Sequence, residues 1–244
     1  YASSKRMFGS WKNNITYVSD DGDANLHQRA AETLASYFSD FQPQTQLNKL
    51  YIDAFPQEIL ASRESALLTR EALISALEEG TFVVDYLGHG NESQWAVENI
   101  LDATLVNDLT NRFYLPLFLT ATCEFGRYDD PSINTSGAEK LLLNENGGAI
   151  ALLTTTRPVY ASSNELVNEA FHKNLFKTEN GSFLRLGDIM RLTKNESVFG
   201  VNNRNFSLLG DPMLQLQYPE NKIVIDSING FNIVDLGSDT LSAL

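Results

Sequence analysis

A chain of 244 residues, 43% apolar and 20% charged, is long enough to bury the core of one α/β domain and has an ordinary globular balance. A formal net charge of −13 argues against nucleic acid as a partner, because phosphate binding needs clustered Lys and Arg, and equally against docking on anionic lipid. One cysteine excludes an intrachain disulfide and a Cys-based zinc cluster, and His27, His89 and His172 show no metal-ligand spacing along the chain.

No apolar stretch approaches the roughly 18 residues of a membrane-spanning helix. The first residues carry no apolar signal-peptide region and no initiating Met, so the chain reads as a piece of a longer precursor. Residues 11–18 are predicted as the first strand, running into the acidic turn Ser19-Asp-Asp-Gly-Asp23. Over 24–41, Leu26, Ala30, Leu34, Tyr37 and Phe38 recur at helical spacing, which predicts an amphipathic helix with His27 on its surface. A second strand is expected at 48–54. Residues 69–79 follow as a helix, with Thr69 as N-cap and Gly80 just past its end.

The runs 81–87 and 115–122 are rich in β-branched and aromatic residues and lack polar alternation, so they read as buried parallel strands. A loop with a short helix at 103–109 joins them. Beyond lie a helix at 136–144, a buried strand at 149–155, helices at 164–176 and 183–194, a turn at 205–212 and a strand at 213–217. This alternation builds a mostly parallel sheet with helices on both faces. After Pro219 the texture changes: 222–236 alternates like a hairpin about Asn229-Gly230, as the start of a β-rich, Ig-like domain at 220–244 after a first domain at 1–219.

The chemistry gathers at two strand ends. His89 stands between Gly88 and Gly90 just past one buried strand, and Cys123 stands just past the next. In an open α/β sheet the crevice beyond the carboxyl ends of the strands is where ligands bind, so both side chains are expected in one cleft. A lone Cys ending an apolar strand is more often an inert core residue, and a lone His more often structural. The pair, with Gly on both sides of the His, favours a nucleophile activated by an imidazole. Gly90 has no Cβ, and its N–H with that of Cys123 could hold an oxyanion.

Around this pair, one of Asp20, Asp21 and Asp23, all expected at the same carboxyl edge, could orient the imidazole or help bind substrate, although an Asp/Gly cluster before a helix is ordinarily a turn and cap. Gln94 and Trp95 are expected at the cleft mouth, the indole either as a subsite wall or as a loop anchor. Thr154, Thr155, Thr156 and Arg157 end the strand beside the cleft and are candidate substrate contacts. The loop after Cys123 carries Glu124, Arg127, Asp129 and Asp130, which could shape a substrate pocket or take a structural Ca²⁺, although no EF-hand pattern is present.

Tyr86-Leu-Gly-His-Gly-Asn-Glu-Ser-Gln-Trp95 and Leu115-Pro-Leu-Phe-Leu-Thr-Ala-Thr-Cys-Glu-Phe-Gly126 resemble the gingipain family of cysteine peptidases. The segments 147–157 and 206–214 extend that likeness to roughly residues 15–218. The resemblance implies a caspase-like three-layer sandwich, a dyad of Cys123 and His89, an accompanying acid at Asp20 or Asp21, and no cofactor. It also implies a substrate-facing loop near His27. The run 120–131 with 154–157 is nearer to the PorU-type surface sortases of the type IX secretion system than to the arginine- or lysine-specific gingipains. That nearness implies removal of C-terminal signal domains from secreted cargo proteins and attachment of the new carboxyl end to a surface glycolipid, a lipopolysaccharide. The implied location is the outer face of the outer membrane, with other type IX components as partners. An endopeptidase cutting after basic residues and a catalytically silent cargo-binding scaffold remain as alternatives.

Overall fold

In the computed structural model, residues 9–60, 63–132, 135–219, 226–228 and 231–232 are described. Six strands make the main sheet: β1 (Asn14–Ser19), β2 (Gln46–Tyr51), β3 (Val83–Leu87), β4 (Leu117–Ala121), β5 (Ala151–Thr155) and β6 (Phe206–Leu209). They lie in the order β6-β5-β4-β3-β1-β2. The first five are parallel, and β6 closes one edge antiparallel to β5.

Every residue of β3, β4 and β5 is buried, as continuous apolar runs covered on both faces require. Alternate residues point to opposite layers. Val83 and Leu87 pack with Leu117, Leu119 and Leu153 against α1 (Gly22–Phe41), α5 (Ala161–Leu175) and α6 (Leu186–Glu196). Val84 and Tyr86 pack with Phe118 and Leu152 against α2 (Leu67–Glu79), α3 (Ala103–Asp108) and α4 (Gly137–Leu143). The result is a three-layer α/β sandwich. None of the described helices is long and apolar enough to cross a membrane.

Connectivity places the functional crevice. From β1 the chain crosses through α1 to β2 on one side, then returns through α2 to β3 on the other. The strand order therefore reverses between β1 and β3, and a crevice opens there at the carboxyl ends.

Several expected boundaries move. Residues 206–209, expected as a turn, form the edge strand β6, paired residue for residue with Leu152–Thr155, whereas 213–217 makes only a bridge from Gln215 to Arg185. Phe206 is buried and anchors β6 to the core. Helix α2 starts at Leu67, so Thr69 lies buried inside it rather than capping it, and Gly80 ends it at φ 101°. Helix α4 begins as its sequence suggests. The Ser136 hydroxyl accepts from Glu139 N–H while the Glu139 carboxylate accepts from Ser136 N–H. The expected hairpin after Pro219 is described only as Ser227–Ile228 paired with Phe231–Asn232; Asn229, Gly230 and most of 220–244 lie outside the described residues.

Candidate active site

Leu87 at the end of β3 sits in register with Ala121 at the end of β4, and Gly88 N–H reaches the Ala121 carbonyl at 3.4 Å. His89 and Cys123 each lie two residues further on, so they leave neighbouring strands at the same edge. The turn around His89 is rigidly held. Its N–H donates to Asp20 Oδ2 at 2.8 Å, and its carbonyl accepts from the Tyr86 hydroxyl at 2.5 Å and from Ala96 N–H at 2.9 Å. Gly88 is required there: a Cβ would lie 2.4 Å from Asp20 Cβ and 2.5 Å from the Tyr86 hydroxyl.

Gly90 faces Trp95 across a small antiparallel bridge. The bonds of that bridge run from Ala96 N–H to His89 O and from Asn91 N–H to Gln94 O, flanking Gly90. In such a pair the central N–H points outward from the ladder. That leaves Gly90 N–H available to an incoming oxygen.

The imidazole meets an acid that sequence reasoning did not choose. His89 Nε2 is 3.0 Å from Asp23 Oδ2, with both side chains about half exposed. Asp20 is buried and serves the backbone, accepting from His89 N–H and, at 3.2 Å, from Gly22 N–H. Asp21 accepts from Gln57 Nε2 at 2.6 Å, and partial burial, with Asp20 beside it, raises its pKa. The acid contacting the imidazole is thus Asp23, not Asp20 or Asp21. Asp23 reaches the ring because Asp23, Ala24 and Asn25 take left-handed φ values of 56°, 52° and 62° before the regular part of α1 begins. Each such non-glycine residue costs roughly 1–2 kcal/mol, strain of the kind that collects at functional sites.

Cys123 is partly buried, its thiol directed at the Val159 carbonyl at 3.7 Å. The strand end beneath it is tied from the side: the Thr155 hydroxyl donates to the Thr122 carbonyl, and Asn164 Nδ2 donates to the Ala121 carbonyl at 3.2 Å. A cavity of about 140 Å³ adjoins this edge, lined in part by His27, Ala30, Leu87, Ala121, Ala161 and Glu165.

The profile of peptidase family C25 matches residues 1–217. The chain belongs to that family. The C25 domain superposes on the crystal structure of the Arg-specific cysteine proteinase gingipain R with a TM-score of 0.67 at 19% identity, covering 85% of this chain and 48% of that one. A complex of the Porphyromonas gingivalis RgpB pro- and mature domains gives 0.64 at 19% identity, covering 85% and 49%. The Saccharomyces cerevisiae separase–securin complex gives 0.56 at 16%, covering 82% and 12%. At these identities the likeness shows a shared caspase-like fold, and the C25 domain spans about half the length of the gingipain structures it matches. Among curated protein sequences no match is found.

Within the C25 domain, Trp95, Thr154 and Thr155 lie in the interior, and the other expected substrate contacts have partners within the chain. Trp95 is fully buried and stacks on Tyr86 with ring centroids 4.3 Å apart, so it anchors the His89 loop from inside rather than walling the cleft. Gln94 turns its amide back onto the Ala96 carbonyl at 3.2 Å. Thr155 is fully buried, and Thr154 likewise, accepting from the Thr120 hydroxyl at 2.7 Å; both hold the sheet rather than face substrate. Arg157 forms a two-pronged pair with Asp129 at 2.8 and 2.6 Å. Glu124, at φ 57°, pairs with Arg127 at 2.9 Å, and Arg127 also meets Glu92 and Asp130. The carboxylates once considered for Ca²⁺ therefore face arginines.

Two residues were missed or misplaced. Glu98 lies buried beside Asp20 and Asp21, and burial, with Asp21 nearby, pushes its pKa up to about 7. Nothing in its local sequence marks it. His27, expected on the helix surface, is only 7% exposed and meets the His89 ring edge-on at 5.1 Å.

Proposed function

We propose that this C25 domain is a cysteine peptidase in which Cys123 is the nucleophile and His89, oriented by Asp23, its acid–base partner. The observation that carries this reading is the half-exposed Asp23–His89 pair just past β3, with the partly buried Cys123 thiol at the matching position past the neighbouring strand β4. Cys123 Sγ attacks a peptide carbonyl carbon and its proton passes to His89. The N–H groups of Gly90 and Cys123 hold the oxyanion, and the imidazolium returns the proton to the leaving amine. An acyl thioester remains on Cys123, resolved by water in a hydrolase or by an amine in a transpeptidase.

The finer reading is the transpeptidase. The likeness of residues 120–131 and 154–157 to PorU-type sortases supports a role in type IX secretion. There the enzyme removes C-terminal signal domains from cargo proteins at the cell surface and joins the new carboxyl end to a glycolipid amine. The cavity beside the dyad also favours this over cleavage after basic residues. Its lining includes Leu26, Ala30, Leu87 and Ala121, and the Glu165 carboxylate is exposed at its rim. A basic side chain would enter that floor without a buried carboxylate to meet it.

The test is intact-mass labelling with a peptidyl acyloxymethyl ketone on the wild type, Cys123→Ala and His89→Ala. An adduct on Cys123 that weakens without His89 is expected; an intact fold with no adduct would overturn the peptidase reading. With a peptide substrate in place of the label, an added amine acceptor then separates transfer from hydrolysis: a peptide–amine product is expected, and hydrolysis alone would rule out the transpeptidase.

A further inference from the structure

Ligand-type atoms from two parts of the chain, α1 and the turn after β3, converge at the dyad histidine. One ligand-type atom each of Asp23, His27 and His89 lies within 4.8 Å of the other two. Asp23 Oδ2 is 3.0 Å from His89 Nε2 and 3.6 Å from His27 Nε2. In a tetrahedral zinc site with bonds of about 2.0–2.1 Å, neighbouring ligand atoms stand about 3.3 Å apart. The two measured separations bracket that edge. The imidazole rings are nearly perpendicular, at 85°, with centroids 5.1 Å apart.

His27 supplies an independent reason to look here. Its Nε2 is buried and has no hydrogen-bond partner among the described residues, and 3.6 Å to Asp23 is too long for a hydrogen bond. A buried polar atom without a partner calls for an explanation, an unseen ion included. Asp23 and His89 are half exposed, so an ion can enter from solvent and keep open coordination positions. Two imidazoles with one carboxylate suit zinc and its transition-metal neighbours, whereas calcium and magnesium prefer all-oxygen sets.

We propose that Asp23, His27 and His89 form a binding site for a zinc-class divalent ion, and that the bound ion takes up the His89 lone pair and silences the dyad. The inhibitory half of this proposal rests on the peptidase reading; the binding half does not. His27 and His89 are 62 residues apart in the chain, which is why no sequence spacing announces the site.

The experiment is a titration of the metal-free 244-residue chain with Zn²⁺ against a chromophoric chelator. The wild type is compared with His27→Gln, Asp23→Asn and Cys123→Ser, each checked for folding by thermal melting. The expected result is one ion per chain, a Kd at least about tenfold weaker in His27→Gln and Asp23→Asn, and a Kd within about twofold in Cys123→Ser. Co²⁺ in place of Zn²⁺ is expected to give d–d bands without a sulfur-to-cobalt charge-transfer band. Should His27→Gln fail to fold, exposed Asp23→Asn decides alone. No binding, unchanged affinity in His27→Gln and Asp23→Asn, or binding abolished by Cys123→Ser would each overturn the proposal, the last by assigning the ion to the thiol. In a turnover assay, inhibition that follows Kd and is reversed by chelator supports the silencing step; full activity with the site saturated overturns it. A wild type that binds Zn²⁺ but shows no turnover in any assay would count against the peptidase reading and leave the site standing.

Discussion

Strand β3 serves two histidine–carboxylate pairs whose chemistry differs because their depth differs. Asp85 lies within the strand, and its Oδ2 is 3.5 Å from His172 Nε2, with both side chains fully buried. His172 Nε2 also meets the Tyr17 hydroxyl at 3.0 Å, and its Nδ1 meets the Asn168 carbonyl at 2.9 Å. Burial pushes His172 down to about 4, so it is neutral at pH 7, and pushes Asp85 well up. In that state Tyr17 donates to Nε2 while Nδ1–H donates to Asn168, and the group is a polar rivet in the core. Just beyond the same strand, His89 and Asp23 stand 3.0 Å apart in partial contact with water. Residue type alone does not separate architecture from catalysis; solvent access does.

The largest expected effect falls on the exposed side of that comparison. Cys123→Ala is expected to abolish turnover with little change in melting temperature, and His89→Ala to lower kcat by roughly 10²–10⁴-fold with little change in KM. A large stability loss in Cys123→Ala would instead reveal a core cysteine, and normal turnover in His89→Ala would dissolve the dyad.

The buried pair is expected to answer in stability. His172→Ala leaves a cavity and strands the Tyr17 hydroxyl, for a loss of about 2–4 kcal/mol in denaturant titrations. The same residue gives a pH signature. Its folded pKa, about 4, lies below the unfolded value of about 6.5, so between them the unfolded chain binds more protons. The His172 contribution is therefore present above pH 6.5 and lost as pH falls towards 4, by roughly 3 kcal/mol. Glu98, raised to about 7, acts in the opposite direction, since its folded state holds the extra proton. Comparing wild type with His172→Asn isolates the histidine slope; parallel stability curves would show that the fold does not lower the His172 pKa.

Asp23→Asn sharpens the exposed pair. Because the carboxylate orients the ring and does not itself react, kcat is expected to fall about 10- to 100-fold with KM unchanged, and Asp20→Asn to act through stability of the His89 turn as well. Equal kcat in Asp23→Asn would return the role of third group to Asp20 or Asp21. The smallest effect is expected at Arg157→Gln, which breaks an exposed pair with Asp129 and should leave turnover and melting temperature where they were. A selective rise in KM there would restore Arg157 as a substrate contact.

The sequence by itself determined the sheet around residues 81–126, because unbroken apolar runs can be buried only between two layers. It also determined that His89 and Cys123 end those runs, because the glycines and the lone thiol mark the strand ends. The helix beginning at Ser136 was equally legible. What tertiary structure alone decided was which way side chains turn. Asp23 displaced its neighbours through a left-handed turn that periodicity cannot reveal. Trp95 went inward because Tyr86 offers a stacking face only once β3 is in place. Phe206 became an edge strand because Leu152–Thr155 had an unpaired flank to fill. His27 and His89, far apart in the chain, became neighbours because the strand order reverses between β1 and β3. Each of these depends on contacts between residues distant in sequence, whose energies no local pattern contains.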